Sequence, residues 1–436
     1  MKQFPGPNAL KIFEDAKKYY ATTTCSSCIV VRSGEGAIVT DVDGFEFYDL
    51  HCDASVNNLG RNNELVRNAI EFQLDSGNFF SEHHNSPNPE TVKLAKILTE
   101  KSPVPGPSKV FFSNSGAEAN EAARKLCRAY RFRVGEKDRT KTVYFQNGFA
   151  GRTKGVLAGT SSKSENQRDP FWDHCDKENS IYVPYPSLYN FEESLSVFNK
   201  IDLSEVDRIL IELSCQGEGG IIPCNGYAVS LMRQKAKDAG VFWIADAIQC
   251  GMGRDGSMFG CDNLFTGSVP AIEPDILVLG KALGGGLPIG ATIFREDLDF
   301  KRSQHSNTFG GGPLVASSAL TVFRQIENIV NSGSIKKIEG MLFGRLLGLW
   351  GKYTDVIMEP RGRGAMWAVE FFDTKSRDRV IEIAEEIVLE QGRGLRLLGA
   401  GKKSIRFMPP INISFEELEN ALEIFNSVIF KFKNNG

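Results

Sequence analysis

The sequence of 436 residues lacks any apolar run approaching the roughly 20 residues that cross a bilayer. Its charges are nearly balanced, with 51 Lys and Arg against 54 Asp and Glu, and both signs are mixed along the chain. Because there is no basic patch or acidic tail, we expect no binding to nucleic acid or to a membrane surface. The proline-containing, charged start MKQFPGPNALKIFEDAKKYY is not a secretory signal, so we expect a cytoplasmic protein.

Paired cysteine spacing is scarce among the nine cysteines, and their odd number fits a reducing compartment better than a disulfide framework. The one CxxC motif, Cys25 to Cys28, has no second pair and no histidine nearby. We therefore predict neither a metal site nor a redox site at this motif.

Strand-like apolar runs alternate with amphipathic stretches from about residue 60 to about residue 325, which predicts an α/β fold with a mostly parallel sheet. The candidate strands are Lys109–Ser113, Thr142–Phe145, Arg208–Leu213, Val241–Asp246, Asp275–Leu279 and Ile289–Phe294. We expect residues 61–328 to form this large domain. Residues 1–60, with a hairpin at Asp43-Gly44, and residues 329–436 would form a small α+β domain from both chain ends.

A lone lysine, Lys281, follows an apolar run in ILVLGKALGGGLPIG, residues 276–290. Partial desolvation at such a position lowers a lysine pKa and makes the amine a nucleophile toward aldehydes. A P-loop is excluded, because Ala282 stands where magnesium binding needs Ser or Thr. Taken alone, a surface lysine after a strand is the better interpretation.

A strand runs into a strongly helical sequence in VFFSNSGAEANEAARKL, residues 110–126. Ser115 and Glu118 have the spacing of a capping box, and Gly116 allows a ligand to approach closely. The free N–H groups and the dipole of a helix start form an anion site. This segment alone favours a phosphate site and a simple capped helix equally.

The strand in VFWIADAIQCGMGRDG, residues 241–256, ends in Asp246, an acid that we expect to be buried. A buried carboxylate needs a cationic partner, and a pyridinium nitrogen would provide one. Gln249 could then donate to an oxygen of the same ring.

The same segment contains a GxGxxG match, Gly251, Gly253 and Gly256, with Asp275 about 20 residues later. A dinucleotide fingerprint opens a helix, but SMFGCDNLFTG follows here without a helical period. We interpret the match as a coincidence.

The phosphate turn, the buried Asp and the Lys, in this order, resemble the fold type I enzymes that use pyridoxal 5′-phosphate (PLP). More closely, the chain resembles the class III aminotransferases, which include 4-aminobutyrate, ornithine and acetylornithine aminotransferases, with its nearest likeness to archaeal members. The resemblance runs from FPGPNAL to MPPINIS through NSGAEANEAA, GFAGRT, QGEGG, GMGRDG, GKALGGGLPIGA and HSNTFGG. It implies ping-pong transfer of an amino group from an amino acid to an oxo acid such as 2-oxoglutarate.

The resemblance also assigns the residues around the cofactor ring. Lys281 matches the catalytic lysine that holds PLP covalently, and Asp246 matches the catalytic partner of the ring nitrogen. Gln249 matches the residue at the phenolic oxygen. Phe149 and Ile248 match the residues that cover the two faces of the ring.

Further matches concern the phosphate, the substrate and the oligomer. Ser115, Gly116 and Ala117 match the phosphate-binding turn. Thr308 matches a threonine that reaches the phosphate from a second subunit, which implies a homodimer, or a dimer of dimers, with shared active sites. Arg406 matches the arginine that binds the substrate α-carboxylate.

The chain departs from the family where the substrate is bound. Leu213 stands where many members have the glutamate that pairs with the arginine matched by Arg406, although Glu212 is adjacent. Ala150, Ala247 and Gly312 also differ from the residues that are common at these positions in the family. Asp53 and Ser55 stand where two glycines are expected. The sequence therefore supports PLP binding and leaves the substrate open.

Three alternatives to an aminotransferase stay open. A racemase or epimerase needs the same cofactor set. An NAD-dependent dehydrogenase would follow from the GxGxxG match, and a PLP-binding protein without turnover would follow from the changed substrate residues.

Overall fold

The computed structural model describes residues 3–22, 27–79, 86–261 and 272–435, so Cys25 of the CxxC motif lies outside it. Over these ranges, no helix has the length and apolar character needed to cross a membrane.

Thirteen helical segments are present in the described chain. They are α1 (Pro7–Tyr19), α2 (Cys52–Ser55), α3 (Glu64–Asp75), α4 (Pro89–Lys101), α5 (Gly116–Val134), α6 (Ser164–Gln167), α7 (Phe191–Asn199), α8 (Gly226–Asp238), α9 (Pro313–Ser332), α10 (Ser334–Lys352), α11 (Thr374–Glu386), α12 (Val388–Gln391) and α13 (Phe415–Asn435). Short 3-10 turns are Leu157–Gly159, Asp169–His174, Lys281–Gly284 and Glu296–Leu298.

The strands are β1 (Val31–Glu35), β2 (Ile38–Asp41), β3 (Glu46–Asp49), β4 (Ser108–Ser113), β5 (Lys141–Phe145), β6 (Ser180–Val183), β7 (Val206–Ile211), β8 (Cys215–Gln216), β9 (Ile222–Pro223), β10 (Phe242–Asp246), β11 (Ile276–Leu279), β12 (Gly290–Arg295), β13 (Arg361–Arg363), β14 (Met366–Glu370), β15 (Arg393–Arg396), β16 (Leu398–Ala400) and β17 (Ser404–Phe407).

The large sheet has seven strands in the order β4-β12-β11-β10-β7-β5-β6. Only β12 runs antiparallel to its neighbours, and the remaining contacts are parallel. Every residue of β7 and β10 is buried, as expected for strands covered by helices on both faces. The predicted α/β fold with a mostly parallel sheet is confirmed, and the six candidate strands match observed strands with ends shifted by two residues or fewer.

The carboxyl ends of these strands meet at one edge of the sheet, where open α/β sheets bind ligands. Ser115 follows β4, Phe149 follows β5 and Glu212 follows β7. At the same edge, Asp246 ends β10 and Lys281 follows β11. The topology therefore gathers these side chains from segments far apart in the sequence.

Both chain ends contribute to one smaller sheet, because β15 pairs in parallel with β3 in the order β1-β2-β3-β15. The predicted turn at Gly44, with φ of 85°, joins β2 to β3. A third sheet, β13-β14-β17-β16, places Arg406 on β17. The boundaries at residues 60 and 328 stay a prediction.

The GxGxxG match lies in turns, and no helix begins between residues 247 and 261. Gly253 and Gly256 have positive φ angles of 81° and 94°, which are favourable for glycine. A helix start that could bind a pyrophosphate is therefore missing from this segment, as the sequence indicated.

Candidate active site

A cavity of about 260 Å³ opens at the carboxyl edge of the large sheet, and we call it the inner cavity. It is lined by Gly116, Ala117, Phe149, Ala150, Gly151, Arg152, Glu212, Glu218, Asp246, Ile248, Gln249 and Lys281. Seven of the ten residues assigned from the sequence are in this lining. The other three, Ser115, Thr308 and Arg406, lie elsewhere.

Lys281 enters the inner cavity from a strained backbone position. Its φ angle is 44°, in the left-handed region that non-glycine residues seldom adopt, and strain of this kind is concentrated at functional sites. Burial lowers the pKa of the Lys281 amine, although the nearby Glu218 carboxylate opposes this effect. The lysine is therefore closer to its neutral, nucleophilic form than a solvated lysine would be.

Asp246 is 4% exposed and has no cationic hydrogen-bond partner among the described residues. Its carboxylate accepts from Asn120 Nδ2 at 2.7 Å and from the N–H of Ile248 at 3.0 Å. Burial raises the pKa of Asp246 to about 6. A cationic ring nitrogen facing this carboxylate would lower that pKa, so the site fits a pyridinium. The role of Asn120 was missed, although it lies in the NSGAEANEAA motif.

The predicted cap by Ser115 is present at the start of α5, but the returning bond of the capping box goes to Asn114 and not to Ser115. Ser115 Oγ accepts from the N–H of Glu118 at 3.2 Å, and Glu118 Oε2 accepts from the N–H of Asn114 at 2.8 Å. A β-carbon on Gly116 would lie 2.6 Å from Cδ1 of Ile248, so any other residue here would require the Ile248 side chain to move. The first-turn N–H groups of α5 provide the anion site that a phosphate needs.

Phe149 and Ile248 both line the inner cavity, as expected for residues that cover a ring. The N–H of Phe149 donates to Glu212 at 3.2 Å, and the Arg152 guanidinium lies 5.2 Å from the ring centroid of Phe149. Arg152 was missed, although the GFAGRT motif contains it. The structure therefore adds a cation at the rim of the cavity.

Gln249 donates from Nε2 to Glu218 at 3.2 Å. Its buried Oε1 has no hydrogen-bond partner among the described residues. This oxygen can only accept, so it fits a ring hydroxyl that donates, whereas we expected Gln249 to donate to the ring oxygen; buried polar atoms normally find a partner. The unmatched amide, the buried Asp246 and the helix start together fit PLP.

The expectation for the glutamate that pairs with Arg406 was wrong. Leu213 is a core residue, and the carboxylate that meets Arg406 belongs to Glu218, with Nη–Oε distances of 2.8 and 3.1 Å. Burial alone would raise the pKa of Glu218, but the charge and hydrogen bonds of Arg406 outweigh it and hold that pKa well below its usual range. The QGEGG motif contained the signal, but alignment without a gap assigned the role to an upstream position.

Glu212 has a different function in the local structure. Its carboxyl group accepts from the N–H groups of Phe149 and Gly217, at 3.2 and 2.9 Å. Burial, reinforced by the charge of Asp246, raises the pKa of Glu212 to about 8. This acid therefore joins two loops of the site and is mainly protonated at neutral pH.

Two departures from the family lie on a turn with unusual backbone angles. Residues 52–55 all have positive φ, with values of 50° at Asp53 and 77° at Ser55, which explains why glycines are favoured there. Asp53 is held by ion pairs to Arg61 and Arg396 at 2.6 and 2.7 Å. Ser55 accepts from Arg254 at 3.0 Å. These contacts stabilise a conformation that L-residues otherwise avoid.

Thr308 is exposed on the surface of the described chain and does not contribute to the inner cavity. Its predicted contact with a phosphate in a second subunit stays a prediction.

The family model "Aminotransferase class-III" matches residues 19–429 of this chain. Acetylornithine aminotransferase from Clostridium acetobutylicum is 33% identical over 419 residues, which are 95% of this chain and 100% of that protein. Acetylornithine aminotransferase from Methanocaldococcus jannaschii is 31% identical, over 96% of this chain and 97% of that protein.

Solved structures show the same fold. Acetylornithine aminotransferase from Elizabethkingia anophelis has a TM-score of 0.79 and 25% identity, over 97% of this chain and 99% of that chain. Ornithine aminotransferase from Toxoplasma gondii has a TM-score of 0.85 and 24% identity, over 98% of this chain and 96% of that chain.

Proposed function

The chain belongs to the class III aminotransferases and is a PLP-dependent enzyme, and we propose that it takes the terminal amino group of an ornithine-type donor. The acceptor would be an oxo acid with two carboxylates, such as 2-oxoglutarate. The observation that carries this proposal is the buried Glu218–Arg406 pair beside Lys281. The acetylornithine aminotransferases among its relatives support the same donor class.

Two residues would carry out the proton chemistry, and a third would position one of them. PLP, when bound, withdraws electrons from the substrate carbon that bears the amine. Lys281 Nζ, with its lowered pKa, would then take the proton from that carbon and hold it at Nζ. Asp246, positioned by Asn120, would hold a proton on the ring nitrogen.

Glu218 and Arg406 would let one site accept two kinds of substrate. An ornithine-type donor has no carboxylate beside its reacting amine, so it would leave the ion pair intact. An α-carboxylate on the acceptor would displace Glu218 and bind Arg406 through two parallel hydrogen bonds. Arg152, at the rim of the inner cavity, would bind the second carboxylate of the acceptor.

The enzyme would act as a homodimer, or as a dimer of dimers, in the cytoplasm. Phe72 and Phe309 are 74% and 69% exposed, and an interface between subunits that covered them would remove their apolar surface from water. Phe309 is also adjacent to Thr308. Six described cysteines carry free thiols, which fits a reducing compartment: Cys52, Cys127, Cys175, Cys215, Cys224 and Cys250. Phe72→Glu should shift the sedimenting species toward the monomer, whereas Phe430→Glu on α13, 59% exposed, should not.

The visible spectrum of the purified protein, with and without borohydride, tests the cofactor assignment. We expect an absorption band that borohydride removes and that Lys281→Ala lacks. Adding ornithine or N-acetylornithine without an oxo acid should convert the bound cofactor to its amine form and release one oxo product per site. Loss of optical activity from one enantiomer without an oxo product would overturn this proposal in favour of a racemase.

A further inference from the structure

The Glu212 carboxyl group lies between the two loops that bring Phe149 and Glu218 to the inner cavity. It accepts from the N–H of Phe149 at 3.2 Å and from the N–H of Gly217, next to Glu218, at 2.9 Å. Phe149 follows β5 and Gly217 follows β8, so the two bonds join segments that are distant in the sequence. One side chain therefore fixes the loop of Phe149 relative to the loop of Glu218.

Gly217 also contacts Gln249. A β-carbon on Gly217 would lie 1.5 Å from Oε1 of Gln249, so this backbone packs directly against the Gln249 amide. The same amide donates to Glu218 at 3.2 Å. A shift of the Gly217 backbone would therefore move two side chains of the inner cavity.

The charges around Glu212 favour its neutral form. Burial is the main cause of its raised pKa, about 8, and the carboxylates of Asp246 and Glu218 also raise it. Arg406 is already paired with Glu218, and the pKa of Lys281 is lowered. Within the described chain Glu212 itself forms no ion pair. An ionised Glu212 would therefore be a third carboxylate without a cation of its own.

The other titratable groups that face Glu212 are Tyr185 and Cys250. The Tyr185 hydroxyl donates to the main-chain carbonyl of Glu212 at 2.7 Å. Burial raises the pKa of the Tyr185 hydroxyl and of the Cys250 thiol well above their ordinary values. Both groups therefore stay neutral at the pH where Glu212 ionises.

We propose that Glu212 is a positioning residue, which as a neutral acid holds Phe149 and the turn before Glu218 at the spacing that the cofactor requires. Ionisation would add a negative charge to a cavity that has to accept an anionic cofactor. The affinity for the cofactor should then be highest while Glu212 is neutral and fall as pH rises above about 8. This inference rests on the PLP dependence of the enzyme and is independent of the amino donor proposed above.

Pyridoxamine 5′-phosphate measures cofactor affinity without turnover, because it forms no covalent bond with Lys281. Its dissociation constant would be determined by calorimetry at several pH values from about 7 to about 9.5. For the native enzyme we expect it to rise by about tenfold above about pH 8, since binding favours the protonated form of one acid.

Glu212→Gln resembles the neutral acid in size and charge and has no proton to lose. At about pH 7 it should bind the cofactor within about tenfold of the native enzyme, because one of two accepted hydrogen bonds is lost. Lys281 and the cofactor titrate in both proteins, so the ratio of their dissociation constants reports on Glu212 alone. That ratio should change by about tenfold above about pH 8. Glu212→Asp, which retains a titrating acid, should bind more weakly at every pH but keep the native pH dependence.

Glu165→Gln, at an exposed glutamate, is the matched control, and its ratio to the native enzyme should not change with pH. Visible circular dichroism of the PLP-loaded variants provides a second readout, because it depends on how the ring is held. Glu212→Ala, which loses both bonds, should reduce the signal per bound PLP more than Glu212→Gln.

A pH-independent ratio for Glu212→Gln would overturn the inference, and so would a native dichroism signal in Glu212→Ala. Either result would leave Glu212 with a role in stability alone. Both measurements use the cofactor without an amino donor, so they are unaffected if the proposed donor is wrong.

Discussion

Replacing Glu218 by glutamine tests the ion pair on which the proposed substrate binding depends. Arg406 has a side-chain exposure of only 1%, and the variant would leave its guanidinium without a counter-charge. Removing one partner of a buried pair costs about 3–5 kcal/mol. The glutamine oxygen can still accept one hydrogen bond, worth about 1 kcal/mol, so we expect a loss of about 2–4 kcal/mol in the free energy of unfolding.

The measurement is chemical denaturation of the PLP-loaded variant beside Glu165→Gln. Glu165 is 75% exposed and pairs with the 69% exposed Lys402, so its variant should lose less than about 0.5 kcal/mol. Saturating pentanedioate, a dicarboxylate, should restore more stability to Glu218→Gln than to the native enzyme, because it supplies the missing anion to Arg406.

The KM of Glu218→Gln for the acceptor should also differ from that of the native enzyme. With Glu218 neutral, an acceptor carboxylate no longer has to displace an anion, so the KM for 2-oxoglutarate should fall. The reasoning is refuted if Glu218→Gln is as stable as Glu165→Gln and if pentanedioate stabilises variant and native enzyme equally.

Other perturbations test the cofactor site. Asp246 and Glu212 have pKa values raised to about 6 and 8, so the folded apoenzyme binds more protons than the unfolded chain between about pH 4 and 8. The free energy of unfolding of the apoenzyme should therefore fall as pH rises through this window. The fall should be less steep in Asp246→Asn and after PLP is added. Chemical denaturation at several pH values measures it. Gly116→Ala should weaken PLP binding, measured by calorimetry, because the new β-carbon meets a side chain at 2.6 Å. Gly340→Ala, in open space on α10, should instead stabilise the fold by about 0.5–1 kcal/mol. Asn120→Ala should weaken PLP binding by about tenfold, since Asp246 loses a 2.7 Å hydrogen bond.

Local chemistry explains which site residues were predictable. The cap at Ser115 is a relation between residues three positions apart, and Lys281 and Asp246 lie at the ends of apolar strands. Such signals depend on short stretches of chain, so the strands, the helix start and the cofactor residues could be inferred before any contact was known.

The partner of Arg406 could not be found in this way. Its identity depends on how the loop after β7 turns before Glu218, and on where β17 lies in another sheet. An alignment without gaps placed Leu213 at the position of the expected glutamate, whereas the carboxylate that pairs with Arg406 lies five residues further along, at Glu218. Arg152 and Asn120 were overlooked because nothing in their own neighbourhoods shows that Arg152 lines the inner cavity or that Asn120 donates to Asp246.

By itself, the sequence determined the fold class, the family and the chemical types around the cofactor, because these follow from periodicity and short motifs. Tertiary structure alone decided which carboxylate neutralises Arg406, and that Asp53 offsets a left-handed turn through two arginines from distant segments. The physical reason is that charge pairing and desolvation depend on distances across the fold, which the order of residues along the chain does not specify.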